Sequence, residues 1–205
     1  METKTHWEGV YTTKASTEVS WFQEHPVVSL GLIRRTGVTQ SSPIIDVGGG
    51  ASTLVDDLLA AGFQDITVLD LSAAALQAAK DRLGTEAAAG ITWLEADITQ
   101  AALPPQHFLV WHDRAVFHFL KDKADREKYG SQVRDSVVPG GHVIVATFAQ
   151  DGPLRCSGLE VIRYSPDSLR DEFGSGFEVI EHTSEIHRTP FDTDQRFIYC
   201  YCRKK

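Results

Sequence analysis

The stretch Pro43–Thr53, PIIDVGGGAST, constrains the fold more than any other part of the chain. A short apolar run enters three consecutive glycines, and helical spacing then begins with Leu54, Leu58 and Leu59. A buried strand that bends through glycines into a helix is the opening unit of many open α/β sheets. Glycines there allow positive φ and let a ligand press on the main chain. The helix that follows aims its free N–H groups at that ligand. A structural turn alone explains a glycine triplet as readily, so the context decides.

The rest of the chain alternates. DITVLDL, ITWLEAD, HFLVWHD and HVIVATF read as strands. Between or before them, PVVSLGLIRR reads as a helix starting at Pro26. SAAALQAAKDRLG reads as a helix capped by Ser72 and stopped by Gly84, and KADREKYGSQVRDSV as a further helix. Such alternation predicts a mainly parallel sheet with right-handed crossovers. After the short helix SPDSLRDEF, the segments FEVIEHTSEIH and QRFIYCYCRK follow each other with no helix between them, so they pair antiparallel. The expectation is an α/β fold: a Rossmann-like three-layer sandwich on a mainly parallel seven-stranded sheet with an antiparallel final hairpin. Its 205 residues fit a single domain, 1–205, with residues 1–40 as a helical, aromatic lid carrying Trp7, Tyr11, Trp21 and Phe22.

Composition narrows the partners. The net charge of -8 disfavours a phosphate backbone, and the only basic run is Arg203-Lys204-Lys205. No stretch approaches the roughly 18 apolar residues of a membrane span. METKTHWEGV lacks the apolar core of a secretory signal. Three cysteines, Cys156, Cys200 and Cys202, are too few for a disulfide framework and fit a reducing, cytoplasmic setting. No metal site, nucleic-acid partner or membrane partner is expected, and the chain is expected to be a monomer or weak homodimer.

Four strands end near acids: Asp46, Asp70, Asp97 and Asp113. Each alone reads equally well as a cap or turn residue. Four along one sheet rim beside a glycine loop point to a ligand there, because open α/β sheets bind ligands at that edge. Asp70 lies about 20 residues past the glycines, where nucleotide-binding folds place a carboxylate for ribose hydroxyls. GGGAST lacks the third glycine of G-x-G-x-x-G, and Asp46 beside the loop suits a cation better than a pyrophosphate. An NAD-linked oxidoreductase is therefore the weaker reading.

These residues resemble the class I S-adenosylmethionine-dependent methyltransferases from about Pro43 to the end. IIDVGGGAS resembles that family's first motif, acidic-x-Gly-x-Gly-x-Gly, with Ser52 in the last position. The resemblance implies S-adenosyl-L-methionine as donor and S-adenosyl-L-homocysteine as product. It implies that Gly48, Gly49 and Gly50 face the methionine moiety, with Ser52 capping the helix. It places Asp70 on the ribose, Asp97 on the adenine amine, and Leu71 and Ile98 around the adenine ring beside Ala96. After the fourth strand, VWHDRAVFHFL supplies candidate catalytic residues Asp113, Arg114 and His118, and Phe117 as an acceptor contact. Phe119 reads as core. Tyr11 and Trp21 are candidates to cover the donor and acceptor, since aromatic faces attract a sulfonium.

The acceptor is divided between two likenesses. VWHDRAVFHFL is similar to the WDRGA segment of thiopurine methyltransferases, which act on small thiols. HWEGVYTTKASTEVSWFQEHP is similar to the openings of small protein-lysine methyltransferases. The absence of asparagine and of a Pro-Pro step after the fourth strand sets aside DNA amino-methyltransferases. The compact chain favours a small-molecule acceptor, a thiol or amine, with protein lysine as the alternative. A protein that binds adenosylmethionine without turnover also remains open.

Overall fold

The computed structural model describes residues 4–205. The remaining residues of the expected 1–205 domain, 1–3, lie outside the described part. In chain order the elements are α1 (Lys4–Thr13), α2 (Val27–Arg35), β1 (Ile44–Val47), α3 (Leu54–Ala60), β2 (Ile66–Asp70), α4 (Ala73–Ala89), β3 (Thr92–Glu95) and β4 (Phe108–Arg114). They continue with α5 (Lys123–Ser136), β5 (Val137–Phe148), β6 (Arg155–Cys156), β7 (Leu159–Glu160), α6 (Pro166–Phe173), β8 (Phe177–Arg188) and β9 (Asp194–Lys204).

Seven strands form one sheet in the order β3-β2-β1-β4-β5-β9-β8. β1 is buried along its whole length because it is central and covered on both faces. Its parallel neighbours are β2 and β4. The chain order therefore reverses direction at β1, and the glycines leave β1 at that switch point. β5 pairs antiparallel with β9, and β9 with β8, giving the final hairpin.

Alternation along each strand sorts the core into two layers. Ile45, Val47, Trp111 and Val143 pack with Tyr129 and Val133 of α5 and Leu169 and Phe173 of α6. Ile44, Val68, Val110 and Ile144 pack with Leu32 and Ile33 of α2, Leu54 and Leu58 of α3, and Leu76 of α4.

Four details depart from expectation. Gly84 does interrupt its helix, with φ 78°, but the chain re-enters helix and runs to Ala89. Thr85–Ala89 contains good helix formers, which explains the restart. β5 begins at Val137 rather than after the glycines, and a register shift between Phe108 and Val110 accommodates Pro139 and Gly140. The small β6–β7 hairpin left no period-two signature in the sequence. Finally, the 1–40 segment divides: α1 and the strap after it lie over the rim, whereas α2 is part of the sandwich, with Leu32 and Ile33 fully buried.

Candidate active site

The glycine loop is held against β2, where the Gly48 and Gly49 N–H groups donate to the Leu69 carbonyl at 2.7 and 3.2 Å. Gly48 has φ 71°, and a Cβ there would overlap Val116. A Cβ on Gly49 would overlap Asp46 Oδ2, and one on Gly50 would overlap Asp70 Oδ2 and Ala75. Main chain and carboxylates thus meet with no room for side chains. Ser52 Oγ accepts the Leu54 N–H at 3.1 Å and starts α3.

Two clefts flank this loop. The first holds about 690 Å³, mouth included, a size suited to a small ligand. Its walls include Gly48, Leu69, Asp70, Leu71, Ala96 and Ile98 at one end, and Trp7, Arg114, Ala115, Phe119 and Cys156 at the other. The second, about 560 Å³, runs under the strap past Asp46, Gly49, Ser52, Ser29 and His112. The two share Tyr11, Trp21, Gly48 and Arg114.

Asp70 ends β2 on the wall of the first cleft. Its Oδ1 accepts the Ser72 N–H at 2.9 Å. Burial pushes its carboxyl up to about 7; backbone N–H groups oppose the shift, and the nearby Asp46 charge adds to it. Asp97 is placed differently. Its carboxylate accepts from the Thr99 N–H at 2.8 Å, the Thr99 hydroxyl at 2.7 Å and Gln100 Nε2 at 3.1 Å. Ala96 and Ile98 on either side line the cleft; Asp97 ties down the turn that presents them.

β4 decides which residues of WHDR reach the clefts. Trp111 and Asp113 face α5: Trp111 Nε1 donates to Tyr129 Oη at 2.9 Å, and Tyr129 donates to Asp113 Oδ2 at 2.7 Å. Asp113 also accepts the N–H groups of Val116 and Phe117, at 2.9 and 3.1 Å. It is fully buried, lines neither cleft, and burial lifts its carboxyl to about 7. That geometry pins the loop after β4 and puts the carboxylate beyond the reach of an acceptor, contrary to the expected catalytic placement.

His112 and Arg114 occupy the opposite face. The Arg114 Nε and Nη2 donate to Glu185 Oε2 at 3.3 and 3.2 Å. Nε also reaches Tyr199 Oη at 3.1 Å, and Nη1 reaches the Trp21 carbonyl at 3.4 Å. The guanidinium lies 4.0 Å from the Phe197 ring centroid. Its charge is already matched by Glu185, so it is not left free for an acceptor carboxylate. Instead it fastens the strap, together with Gln23, which donates to Glu185 at 2.6 Å.

The tight turn 117–119 distributes its three side chains to different surroundings. Phe117 packs against Tyr129, Tyr164 and Phe173 in the core and does not touch the clefts. Phe119, which read as core, lines the first cleft 5.1 Å from Trp7. His118 is fully buried; its Nδ1 accepts the Phe148 N–H at 3.3 Å and its Nε2 has no partner. Desolvation, helped by the Arg114 charge, pushes its pKa down to about 3. It lines neither cleft and stays neutral near pH 7, so the expected base is out of place.

This burial has a measurable sign. The fold favours neutral His118, so its contribution is complete above the unfolded pKa of 6.5 and is lost as pH falls towards 3. From pH 7.5 to 5.0 the wild type is expected to lose roughly 2 kcal/mol more unfolding free energy than His118→Leu. Urea titrations at the two pH values check this; equal losses would mean that His118 is hydrated and exchanging its proton.

A roof completes the first cleft. Trp7 meets Trp21 at 5.8 Å, and Trp21 Nε1 donates to Tyr11 Oη at 3.2 Å. Glu8 accepts the Ala73 and Ala74 N–H groups at 2.6 and 3.2 Å, capping the start of α4, and Lys4 pairs with Glu95. Sequence reasoning placed Trp7 in the aromatic lid without naming it as a site residue, read Phe119 as core and missed His112 altogether. The period of two from Arg114 would have found His112.

The donor set suits a cationic nucleoside. Asp46 Oδ2 is buried with no hydrogen-bond partner, and Gly48 and Asp70 line the first cleft together. The fold and this rim define an adenosylmethionine-dependent methyltransferase of class I, and residues 44–141 match the family model described as a methyltransferase domain. The chain is such an enzyme, and adenosylmethionine is its methyl donor. It is 24% identical over 193 residues to the EEF1A lysine methyltransferase 2 of Danio rerio, covering 87% of this chain and 76% of that one. In three dimensions it is similar to a structure solved for the conversion of a disulfide bond into a thioacetal group during echinomycin biosynthesis. That match has TM-score 0.77 and 17% identity over 98% of this chain and 92% of the other. The glycopeptide N-methyltransferase MtfA, complexed with adenosylmethionine, gives TM-score 0.67 and 17% identity over 91% and 97%. At such identities the structural likenesses establish the fold. Among the described residues no helix is long and apolar enough to cross a membrane.

Proposed function

We propose that the chain methylates a small molecule bearing a thiol or neutral amine. The observation that carries this is the roof: Trp7, Trp21, Phe119 and Ala115 give the first cleft an aromatic, apolar wall. An aromatic, apolar wall suits a compact apolar acceptor, whereas a protein lysine suits a groove with an acidic rim.

Adenosylmethionine supplies a methyl group already activated by its sulfonium. The residues then have to bind, align and exclude water, and alignment alone is worth several kcal/mol. In this reading Asp70 accepts the ribose hydroxyls, Leu71, Ala96 and Ile98 hold the adenine, and Gly48–Gly50 with Ser52 shape the amino-acid end. Asp97 acts by positioning Ala96 and Ile98. Tyr11, Trp21 and Trp7 close the roof that Arg114 fastens, so of the 1–40 segment the described residues 4–25 form the lid on a single domain. Among the described residues, those at the roof end of the first cleft, Trp7, Arg114, Ala115, Phe119 and Cys156, include no histidine or carboxylate. Burial pushes the Cys156 thiol up to about 12, and the Tyr11 phenol also stays protonated. The acceptor must therefore arrive as a nucleophile, which favours an acidic thiol or an unprotonated amine. Three free, buried cysteines fit a reducing cytoplasm, and a monomer or weak dimer suffices, since this site is built within one chain.

The lysine reading is favoured by one observation, the match to an elongation-factor lysine methyltransferase at 24% identity. Release of adenosylhomocysteine distinguishes the two. Aromatic thiols and small amines are expected to raise it well above the acceptor-free rate, and folded protein substrates are not. Labelled methyl on a protein lysine, with no small-molecule turnover, would overturn the proposal.

A further inference from the structure

His112 and Asp46 are cross-strand partners on β4 and β1, so both side chains leave the same face of the sheet. His112 Nδ1 lies 2.7 Å from Asp46 Oδ1, and both side chains are almost completely buried. On the far side of the ring, Nε2 lies 2.9 Å from Ser29 Oγ on α2. Ser29 is itself fully buried, and its oxygen lies 3.5 Å from Tyr199 Oη, the group that bridges Arg114 and Glu185. Both ring nitrogens are therefore engaged, and the imidazole is fixed in plane. Asp46 is left with one oxygen anchored and the other, Oδ2, buried without a partner and turned against Gly49, which with Asp46 lines the second cleft. A buried carboxylate oxygen with no donor is costly, and it persists where a ligand supplies the donor.

We propose that His112 is a positioning residue for the donor: by giving its Nδ1 proton to Asp46 Oδ1, it turns Oδ2 toward the ammonium group at the amino-acid end of adenosylmethionine. This rests on the reading of the site given above. A carboxylate free at both oxygens rotates about its Cβ–Cγ bond; one anchored oxygen sets the plane and so the direction of the other. Ser29 plays the outer part, since its contact with Nε2 selects the ring form that carries a proton on Nδ1. The same ring thereby joins the donor's cleft to the Tyr199–Glu185–Arg114 group that fastens the roof.

Two ligands separate this role from plain scaffolding. Adenosylhomocysteine carries the ammonium group, and 5′-methylthioadenosine presents the same nucleoside without the amino-acid end. In calorimetric titrations His112→Leu is expected to weaken adenosylhomocysteine about tenfold and leave methylthioadenosine within about twofold. His112→Asn, whose amide lies near the ring Nδ1 position, is expected to retain the preference, and His112→Gln, whose amide lies nearer Nε2, to lose it. That pair also serves if the leucine variant does not fold. Unchanged adenosylhomocysteine affinity in the leucine and glutamine variants, or equal weakening of both ligands, overturns the positioning role. A wild type that binds neither ligand overturns the underlying site as well.

Discussion

Asp70→Ala is expected to weaken adenosylhomocysteine binding by at least about a hundredfold, the worth of two hydrogen bonds to a carboxylate at roughly 1.5 kcal/mol each. A second signature accompanies the loss. In the free protein burial holds the Asp70 carboxyl near 7, so below that pH it carries a proton that the ribose hydroxyls must displace. Wild-type affinity should rise with pH through about 7 and flatten above it, with binding at pH 6 about tenfold weaker than the plateau. Calorimetry in buffers of different ionisation enthalpy would count one proton released near pH 6 and none in the alanine variant. A wild-type affinity flat from pH 6 to 8, or an alanine variant that binds normally, would remove Asp70 from the ribose.

Arg114→Ala is expected to cost about 3–5 kcal/mol of stability, because it leaves Glu185 buried without its cation. The strap should loosen with it, since the Trp21 carbonyl loses its donor and the Gln23 amide is left on an uncompensated carboxylate. Changing Glu185 to Gln in the same chain should restore on the order of 2 kcal/mol, the mark of a coupled pair. Denaturant midpoints for the two single variants and the double close the cycle. If Arg114→Ala is as stable as wild type but inactive, the guanidinium serves the acceptor and the fastening role fails.

Much of this was legible in the residues. The strand-to-glycine passage at Val47–Gly50, the Ser72 cap and the helix-free step before QRFIYCYCRK each follow from local chemistry, and the sheet order follows from them. The residues after β4 were less legible. Asp113 and Arg114 are neighbours in sequence, yet a strand sends them to opposite faces, and only Arg114 reaches a cleft. Phe117 and Phe119 exchanged their expected places because a 3₁₀ turn, not a strand or α-helix, sets their directions. Glu185 escaped notice because its partners come from the strap, β4 and β9, a meeting that exists only once the hairpin has docked. Long-range ion pairs of this kind leave no period in a sequence.

The seat of Glu8 on the first turn of α4 also bears on ligand choice. The exposed N–H groups at the start of a helix attract anions, and this helix begins just after Asp70, the proposed ribose contact. With Glu8 already there, the attraction is spent internally, 65 residues away along the chain from Ala73. A nucleotide bearing a phosphate on its sugar would have to evict a carboxylate to settle, whereas a sulfonium nucleoside asks nothing of that spot. Discrimination against phosphorylated dinucleotides is thus built into a helix that contributes no strand to the sheet.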